Sequence, residues 1–299
     1  MTAASAPFGP AAGPLAGGPV APSSDTSSPL LSAEHVTKRF VLRRTLPDRV
    51  ARRSGLSTAA VDDVSLQLAK GEILGLAGGS GSGKTTLVRM LVRLVEADEG
   101  KIVFDGIDIR RVRGRALREI RRNVQMVFQD PYSSLNPRMT VGGAILEAGK
   151  VHGQPGSEDG PAFVSHHLEL VQLPARVAKT RPRELSGGQR QRVAIARALA
   201  AGPRVLLADE AVSALDVSIQ TQLLNLFLDL REELGLSIIF VAHQLSVIAE
   251  VADRVAIMHL GKIVECGETG EVFANPQDPY TQTLLAAHPR PALAVRHAT

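Results

Sequence analysis

From residue 65 onward, short apolar runs alternate with stretches whose apolar residues recur at helical spacing. Ser65–Ala69 and Glu72–Ala77 read as strands about a Lys70-Gly71 turn. Thr85–Val95 reads as a helix with Leu87, Met90, Leu91 and Leu94 along it. Lys101–Phe104 is a short strand before an Asp105-Gly106 turn, and Val124–Phe128 is another. Residues 140–175 hold two helices around a Gly/Pro/Asp loop at 153–161. Arg190–Ala201 is a helix of small apolar residues, Val205–Ala208 a buried strand, and Val217–Leu234 a long amphipathic helix. Ser237–Ala242 is a β-branched strand, Arg254–His259 and Lys262–Cys266 resemble a hairpin around Gly261, and Tyr280–Ala287 is a short last helix. Strands alternating with helices predict an α/β domain with a largely parallel sheet.

Composition sharpens this picture at its edges. Residues 1–30 carry six of the 18 prolines and a single charge, Asp25, so they read as a disordered tail with no core to bury. The order predicted for the domain runs over 31–287, leaving 288–299 as a second tail. Aromatics make up 3% of the chain, so the core is built from Leu, Val, Ile and Ala, which suits covered parallel strands. A net charge of +4 does not demand nucleic acid, although a pI near 9.5 permits it. Two arginine clusters, at 43–53 and 110–122, read first as solvated faces; anionic lipid headgroups or nucleic acid are the sharper readings. No stacking aromatics interleave with them, which lowers the nucleic-acid case. The lone Cys266 forms no internal disulfide, suits a reducing setting, and reads as a small hydrophobe in a strand. No stretch reads as a secretory signal or a membrane span, and the apolar run Leu236–Ala252 is interrupted by His243, Gln244 and Glu250. Work at a membrane therefore requires spans from other chains.

Three motifs carry chemistry. Gly78-Gly79-Ser80-Gly81-Ser82-Gly83-Lys84-Thr85 fits G-x-x-x-x-G-K-S/T between an apolar strand and a helix, the context of a phosphate loop. Its glycines let backbone N–H groups approach phosphate oxygens, Lys84 adds a point charge, and the Thr85 hydroxyl is a hard ligand for Mg²⁺. Val205–Ala208 then delivers Asp209 and Glu210 at a strand end. Asp209 suits the Mg²⁺ shell, and Glu210 is free to act as general base on a water. Leu185-Ser186-Gly187-Gly188-Gln189 offers a hydroxyl and N–H groups at a helix start; it is equally an ordinary N-cap, and both readings stand together.

LSGGQRQR followed by VLLADE resembles the signature of ATP-binding cassette (ABC) ATPases, and the resemblance covers about residues 31–287. It implies a phosphate-loop NTPase of that type: a mostly parallel core sheet, an antiparallel β subdomain, and an inserted helical subdomain at about 130–185. It assigns catalytic roles to Glu210, to Gln129 of the Q-loop and to the switch histidine His243. Gln129 joins Thr85 and Asp209 as a metal-site residue. Nucleotide contacts fall on Gly78 through Thr85, on Thr86, on Ser186, Gly187, Gly188 and Gln189, and on Asp216 of the D-loop Ser213–Asp216. Phe40 stands where an aromatic stacks on adenine, although the Arg-rich insert 41–58 separates it from Val61.

QMVFQDPYSSLNPRMTV, ALDVSIQTQLLNLF and NPQDPYTQTLLAA are similar to the oligopeptide, dipeptide and nickel importer ATPases, second-subunit type. The chain departs from the pattern at Thr85, Ala211-Val212, Ala242 and Gly79, and it lacks that subfamily's Cys-rich extension. The likeness implies ATP and Mg²⁺ as cofactors and a second cassette placed head to tail. Its other implied partners are two transmembrane permease subunits and an extracytoplasmic substrate-binding protein. The predicted place is peripheral, on the cytoplasmic face of the cell membrane, with no nucleic-acid partner. The competing reading is a soluble ABC ATPase acting on nucleic acid or the ribosome.

Overall fold

The computed structural model describes residues 28–41, 57–213 and 215–287. Most of the N-terminal tail, nearly all of the Arg-rich insert with the first arginine cluster, Ala214 of the D-loop, and residues 288–299 lie outside the described residues.

Strands β1 (Leu31–Val41) and β2 (Ser57–Leu68) pair antiparallel, and β3 (Ile73–Ala77) leads into helix α1 (Lys84–Leu91). Strands β4 (Glu99–Phe104) and β5 (Ile107–Asp108) precede helix α2 (Gly114–Asn123) and strand β6 (Val124–Val127). The helical stretch follows: α3 (Pro131–Ser134), α4 (Val141–Val151), α5 (Gly160–Leu170), two 3₁₀ turns (Ala175–Lys179 and Pro182–Glu184) and α6 (Gly187–Leu199). Then come β7 (Val205–Asp209), α7 (Val217–Leu234), β8 (Ser237–Val241) and α8 (Leu245–Val251). The domain closes with β9 (Arg254–His259), β10 (Lys262–Glu268), α9 (Thr269–Ala274) and α10 (Pro279–Ala286).

Two sheets result: an antiparallel one in the order β2-β1-β4-β5, and a second in the order β10-β9-β3-β8-β7-β6. In the second sheet β6, β7, β8, β3 and β9 run parallel and only β10 is antiparallel. Strands β3, β7 and β8 are buried at every residue. That is the outcome of covering a parallel sheet on both faces.

Alternation along each strand sorts side chains into two cores. Leu74, Leu76, Leu207, Ile239 and Val241 face α1 and the antiparallel sheet. Ile73, Leu206, Ala208, Ile238 and Phe240 face the helices of the other side, where Phe227 meets Phe240 edge-on with ring centroids 5.3 Å apart. The parallel strands β3, β6, β7, β8 and β9 all end on one edge, where open α/β sheets bind ligands.

Several expectations shift. The helix after the phosphate loop stops at Leu91, not Val95, because Arg93 takes a left-handed φ of 54° and donates to the carbonyls of Ile109 and Val112; Leu94 is 51% exposed. The strand expected at Ser65–Ala69 begins at Ser57, since pairing with β1 overrides the polar Asp62-Asp63 step. The cluster at 110–122 lies on and before α2, whose only buried residue is Ile120. Arg110, Arg111, Arg121 and Arg122 bond back to Gly100, Asp108, Arg93 and Glu119, which fits a solvated face. Cys266 lies in a strand as read, on β10, but exposed rather than packed as a hydrophobe, with Arg254 Nη2 donating to its Sγ at 3.5 Å.

Candidate functional site

The phosphate loop is built from backbone that only glycine supports. Gly78 has φ 145°, and a Cβ there would sit 2.1 Å from the Met258 carbonyl oxygen. Gly83 has φ 107°, and its Cβ would sit 2.1 Å from the Ala60 carbonyl oxygen. The loop is therefore wedged between β9 and β2, which fixes its path into α1.

Lys84 is nearly buried under the loop. Its Nζ donates to the carbonyls of Gly78 (2.8 Å) and Gly79 (2.9 Å) and, at 3.3 Å, to Ser82 Oγ. Burial lowers its pKa, opposed by the nearby Glu210 and Asp209 carboxylates. An anion arriving at the loop would therefore be favoured by the ammonium it finds. A cleft of about 340 Å³ opens over these groups, lined by Ala60, Ser80, Gly81, Ser82, Gly83, Lys84, Thr85, Thr86, Gln129 and Glu210.

The acidic side of the cleft comes from neighbouring strand ends. Thr85 Oγ1 donates to Asp209 Oδ1 at 3.0 Å, joining the first turn of α1 to the end of β7. Burial raises the Asp209 pKa, and the hydrogen bond from Thr85 opposes the rise. Among the described residues no group of three or more His, Cys, Asp and Glu side chains is placed to hold a metal by itself. The donor set Thr85, Asp209 and the Gln129 amide is nonetheless all hard oxygen. It fits Mg²⁺, an ion that completes its shell with phosphate oxygens and water.

Glu210 has a left-handed φ of 50°, a conformation that costs a non-glycine residue roughly 1–3 kcal/mol and persists where the surroundings over-determine it. Here its N–H donates to the Val241 carbonyl at 3.1 Å, and its own carbonyl accepts from the Ser213 hydroxyl at 3.0 Å. The carboxylate Oε2 accepts from Gln129 Nε2 at 2.9 Å and lies 3.8 Å from His243 Nδ1. Residues 129, 210 and 243, carried by the ends of β6, β7 and β8, thus converge on one carboxylate.

The remaining predicted residues stand apart from that cleft. Ser186 caps α6: its Oγ accepts from Gln189 N–H at 3.3 Å, while Gln189 Oε1 accepts from Ser186 N–H at 3.0 Å. A Cβ on Gly188 would come within 2.6 Å of Ile219 Cγ2 and one on Gly187 within 3.3 Å of Leu215, so both glycines let α6 pack on the start of α7. Asp216 caps α7 through Ile219 N–H at 3.0 Å. Phe40 pairs with Thr58 on the antiparallel sheet, 46% exposed, outside the lining of the cleft. Sequence reasoning missed Ala60 as a wall of the cleft, and it missed Tyr280, whose hydroxyl accepts from Gly79 N–H at 2.9 Å. Neither carries a local signal, since each is brought in from a distant segment.

A family model described as ABC transporter matches residues 61–213. The glutathione import ATP-binding protein GsiA of Escherichia coli (strain K12) is 49% identical over 261 residues, 87% of this chain and 41% of the relative. GsiA of Pectobacterium atrosepticum is 46% identical over 263 residues, covering 88% and 42%. The chain therefore spans about two-fifths of the length of these curated relatives. Among solved structures, the dimeric post-hydrolysis state of the ATP-binding cassette MJ0796, bound to ADP and Pi, aligns with a TM-score of 0.68 at 29% identity. That alignment covers 80% of this chain and 98% of that one. CbiO1 from Clostridium perfringens, part of the transporter complex cbiONQ, aligns with a TM-score of 0.70 at 26% identity, covering 83% and 92%. The phosphate loop, the acidic strand end and the helix-capping signature thus sit on the fold those cassettes share, and the chain belongs to the ABC transporter family.

Proposed function

We propose that this chain binds and hydrolyses ATP to power an ABC importer of peptides or related small solutes. The observation that carries the catalytic part is the convergence of Gln129 and His243 on the strained Glu210, beside a phosphate loop whose lysine and threonine are already aimed. Lys84 and the loop amides bind the β- and γ-phosphates. Thr85, Asp209 and Gln129 would hold Mg²⁺, which would supply positive charge to neutralise the transferred phosphoryl group. Glu210 takes a proton from the attacking water, Gln129 orients that water, and His243 stabilises the γ-phosphate side of the site. Phe40 stacks on adenine.

Ser186–Gln189 lies outside its own chain's cleft, which supports a site shared between two cassettes. The cap exposes N–H groups at the start of α6, and in the proposed dimer these cover the γ-phosphate bound by the companion, with Asp216 close by. The matching cassette MJ0796 has a dimeric structure, which favours the same arrangement here. Among the described residues no helix is long and apolar enough to cross a membrane. In this reading two permease subunits supply the spans, an extracytoplasmic binding protein supplies the substrate, and the chain sits peripherally on the cytoplasmic face. Import of a peptide-like solute rests on the likeness to GsiA, whose name is that of a glutathione importer.

The test is Glu210→Gln in the full chain with its companion cassette. The variant is expected to retain ATP while turnover falls by roughly 10²–10³, the scale of losing one well-placed catalytic group. Near-normal hydrolysis would remove Glu210 from the role of base.

A further inference from the structure

The Gly78–Gly79 peptide unit is held at both edges. Its carbonyl accepts from Lys84 Nζ at 2.8 Å, and its N–H donates to the Tyr280 hydroxyl at 2.9 Å. Because the N–H and C=O of a trans peptide point in opposite directions, the tyrosine and the lysine clamp one plane from opposite sides. Donor and acceptor are aligned in series from ammonium to peptide to phenol, an arrangement in which each bond polarises the next.

Tyr280 is itself firmly placed. It occupies the first turn of α10, where Asp278 Oδ1 accepts from its N–H at 2.8 Å and from Thr281 N–H at 3.3 Å. The approach to that turn is pinned to β10, since the Glu265 carboxylate accepts the N–H groups of Gln277 (2.9 Å) and Asp278 (3.1 Å). The phenol ring stacks on His259 at 3.7 Å between centroids and 22° between planes. His259 follows Met258, whose carbonyl bounds Gly78. The bond to Gly79 bridges 201 residues of sequence.

We propose that Tyr280 is a positioning residue for the nucleotide phosphates. Through its hydroxyl it fixes the peptide plane that anchors Lys84, and so couples ATP binding to the docking of helix α10. Of the three Lys84 acceptors, Ser82 Oγ is the most distant, so it is the one the ammonium relinquishes to phosphate, while Gly78 and Gly79 keep it aimed. The inference rests on nucleotide binding at this loop. By linkage, a nucleotide that gains from the docked helix must hold that helix in place by the same free energy.

The experiment measures equilibrium ATP·Mg²⁺ binding to the full chain for wild type, Tyr280→Phe, Gly79→Pro and the double variant. Hydrogen exchange of residues 279–287 is followed with and without ATP. Tyr280→Phe keeps the ring stack and deletes one neutral hydrogen bond, so affinity falls roughly threefold to tenfold. Gly79→Pro deletes the donor; in that background Tyr280→Phe changes affinity no further. ATP slows exchange in 279–287 of the wild type and not of Tyr280→Phe. Wild-type affinity in Tyr280→Phe overturns the proposal, as does the same loss in both backgrounds. If Gly79→Pro binds no ATP, the exchange arm decides, and equal protection in wild type and Tyr280→Phe overturns it. A wild-type chain that binds no ATP overturns the functional reading itself and this inference with it.

Discussion

Gly75 offers a clean test of how the parallel sheet carries the phosphate loop. It sits mid-way along β3, paired with Phe240 on one side and Val255 on the other, and its backbone φ is not in the left-handed region. Gly75→Ala therefore introduces no backbone strain, only volume. The new Cβ would stand 2.5 Å from Ile248 Cγ2, 3.2 Å from Ile248 Cδ1 and 3.1 Å from Ala252 Cβ. Optimal carbon–carbon contact is about 3.5–4.0 Å, so α8 must retreat by about 1 Å from the sheet. Ile248 is fully buried and β-branched, which leaves Cγ2 no rotamer in which to escape. Overpacking of this kind costs about 1–3 kcal/mol. In a domain of this size that lowers Tm by about 2–12 °C. Denaturant unfolding of Gly75→Ala, Ile248→Ala and the double variant measures it. Ile248→Ala alone costs about 2–5 kcal/mol as a cavity mutation. The double variant should be more stable than the sum by about 1 kcal/mol or more, because the added methyl enters the space vacated. Strict additivity, or an unchanged Gly75→Ala, would refute this account of the sheet-to-α8 packing.

Gly83→Ala should abolish tight ATP binding and also lower stability, since it adds left-handed strain of about 1–3 kcal/mol to a contact with the Ala60 carbonyl. Nucleotide titration and thermal unfolding check both effects, and wild-type values for either would contradict the wedged loop. His167 is buried against Phe163, with Nδ1 2.8 Å from the Phe163 carbonyl, and burial lowers its pKa below 6.5. The unfolded chain thus binds the proton more tightly. Stability from His167 is fully present above pH 6.5 and is lost as pH falls from there toward the lower folded value. Denaturant midpoints read across that window should decline less steeply in His167→Gln than in wild type, and equal slopes would show that His167 is not the group responsible.

The parts of the fold written in local patterns were legible. Val205–Ala208, Val217–Leu234 and Ser237–Ala242 coincide with β7, α7 and β8 to within a residue, because buried parallel strands are short unbroken apolar runs and α7 keeps an apolar stripe. Strand β1 and the first half of β2 were not, since their strand character comes from pairing with each other across polar residues such as Asp62. Helix α2 was hidden by its composition: Leu117 and Ile120 recur at helical spacing, but the arginines around them read as a solvated cluster. In the site, the phosphate loop and the Asp209-Glu210 pair were visible because their chemistry is consecutive in sequence. The left-handed turn at Glu210, the Thr85–Asp209 bond and the Tyr280 contact were not, since each depends on which strand ends the sheet order brings together.

In the proposed reading, the phosphate cleft of this chain is half of a catalytic site, completed by Ser186–Gln189 of a second cassette. The most direct measurement is ATP turnover per chain, at saturating ATP and Mg²⁺, as the chain and its companion cassette are diluted together. Turnover per chain is expected to fall steeply on dilution as paired cassettes separate, and replacing Ser186 by Arg in both cassettes is expected to remove the activity at every concentration. Turnover per chain that stays constant into the monomeric range, with Ser186→Arg as active as wild type, would contradict it.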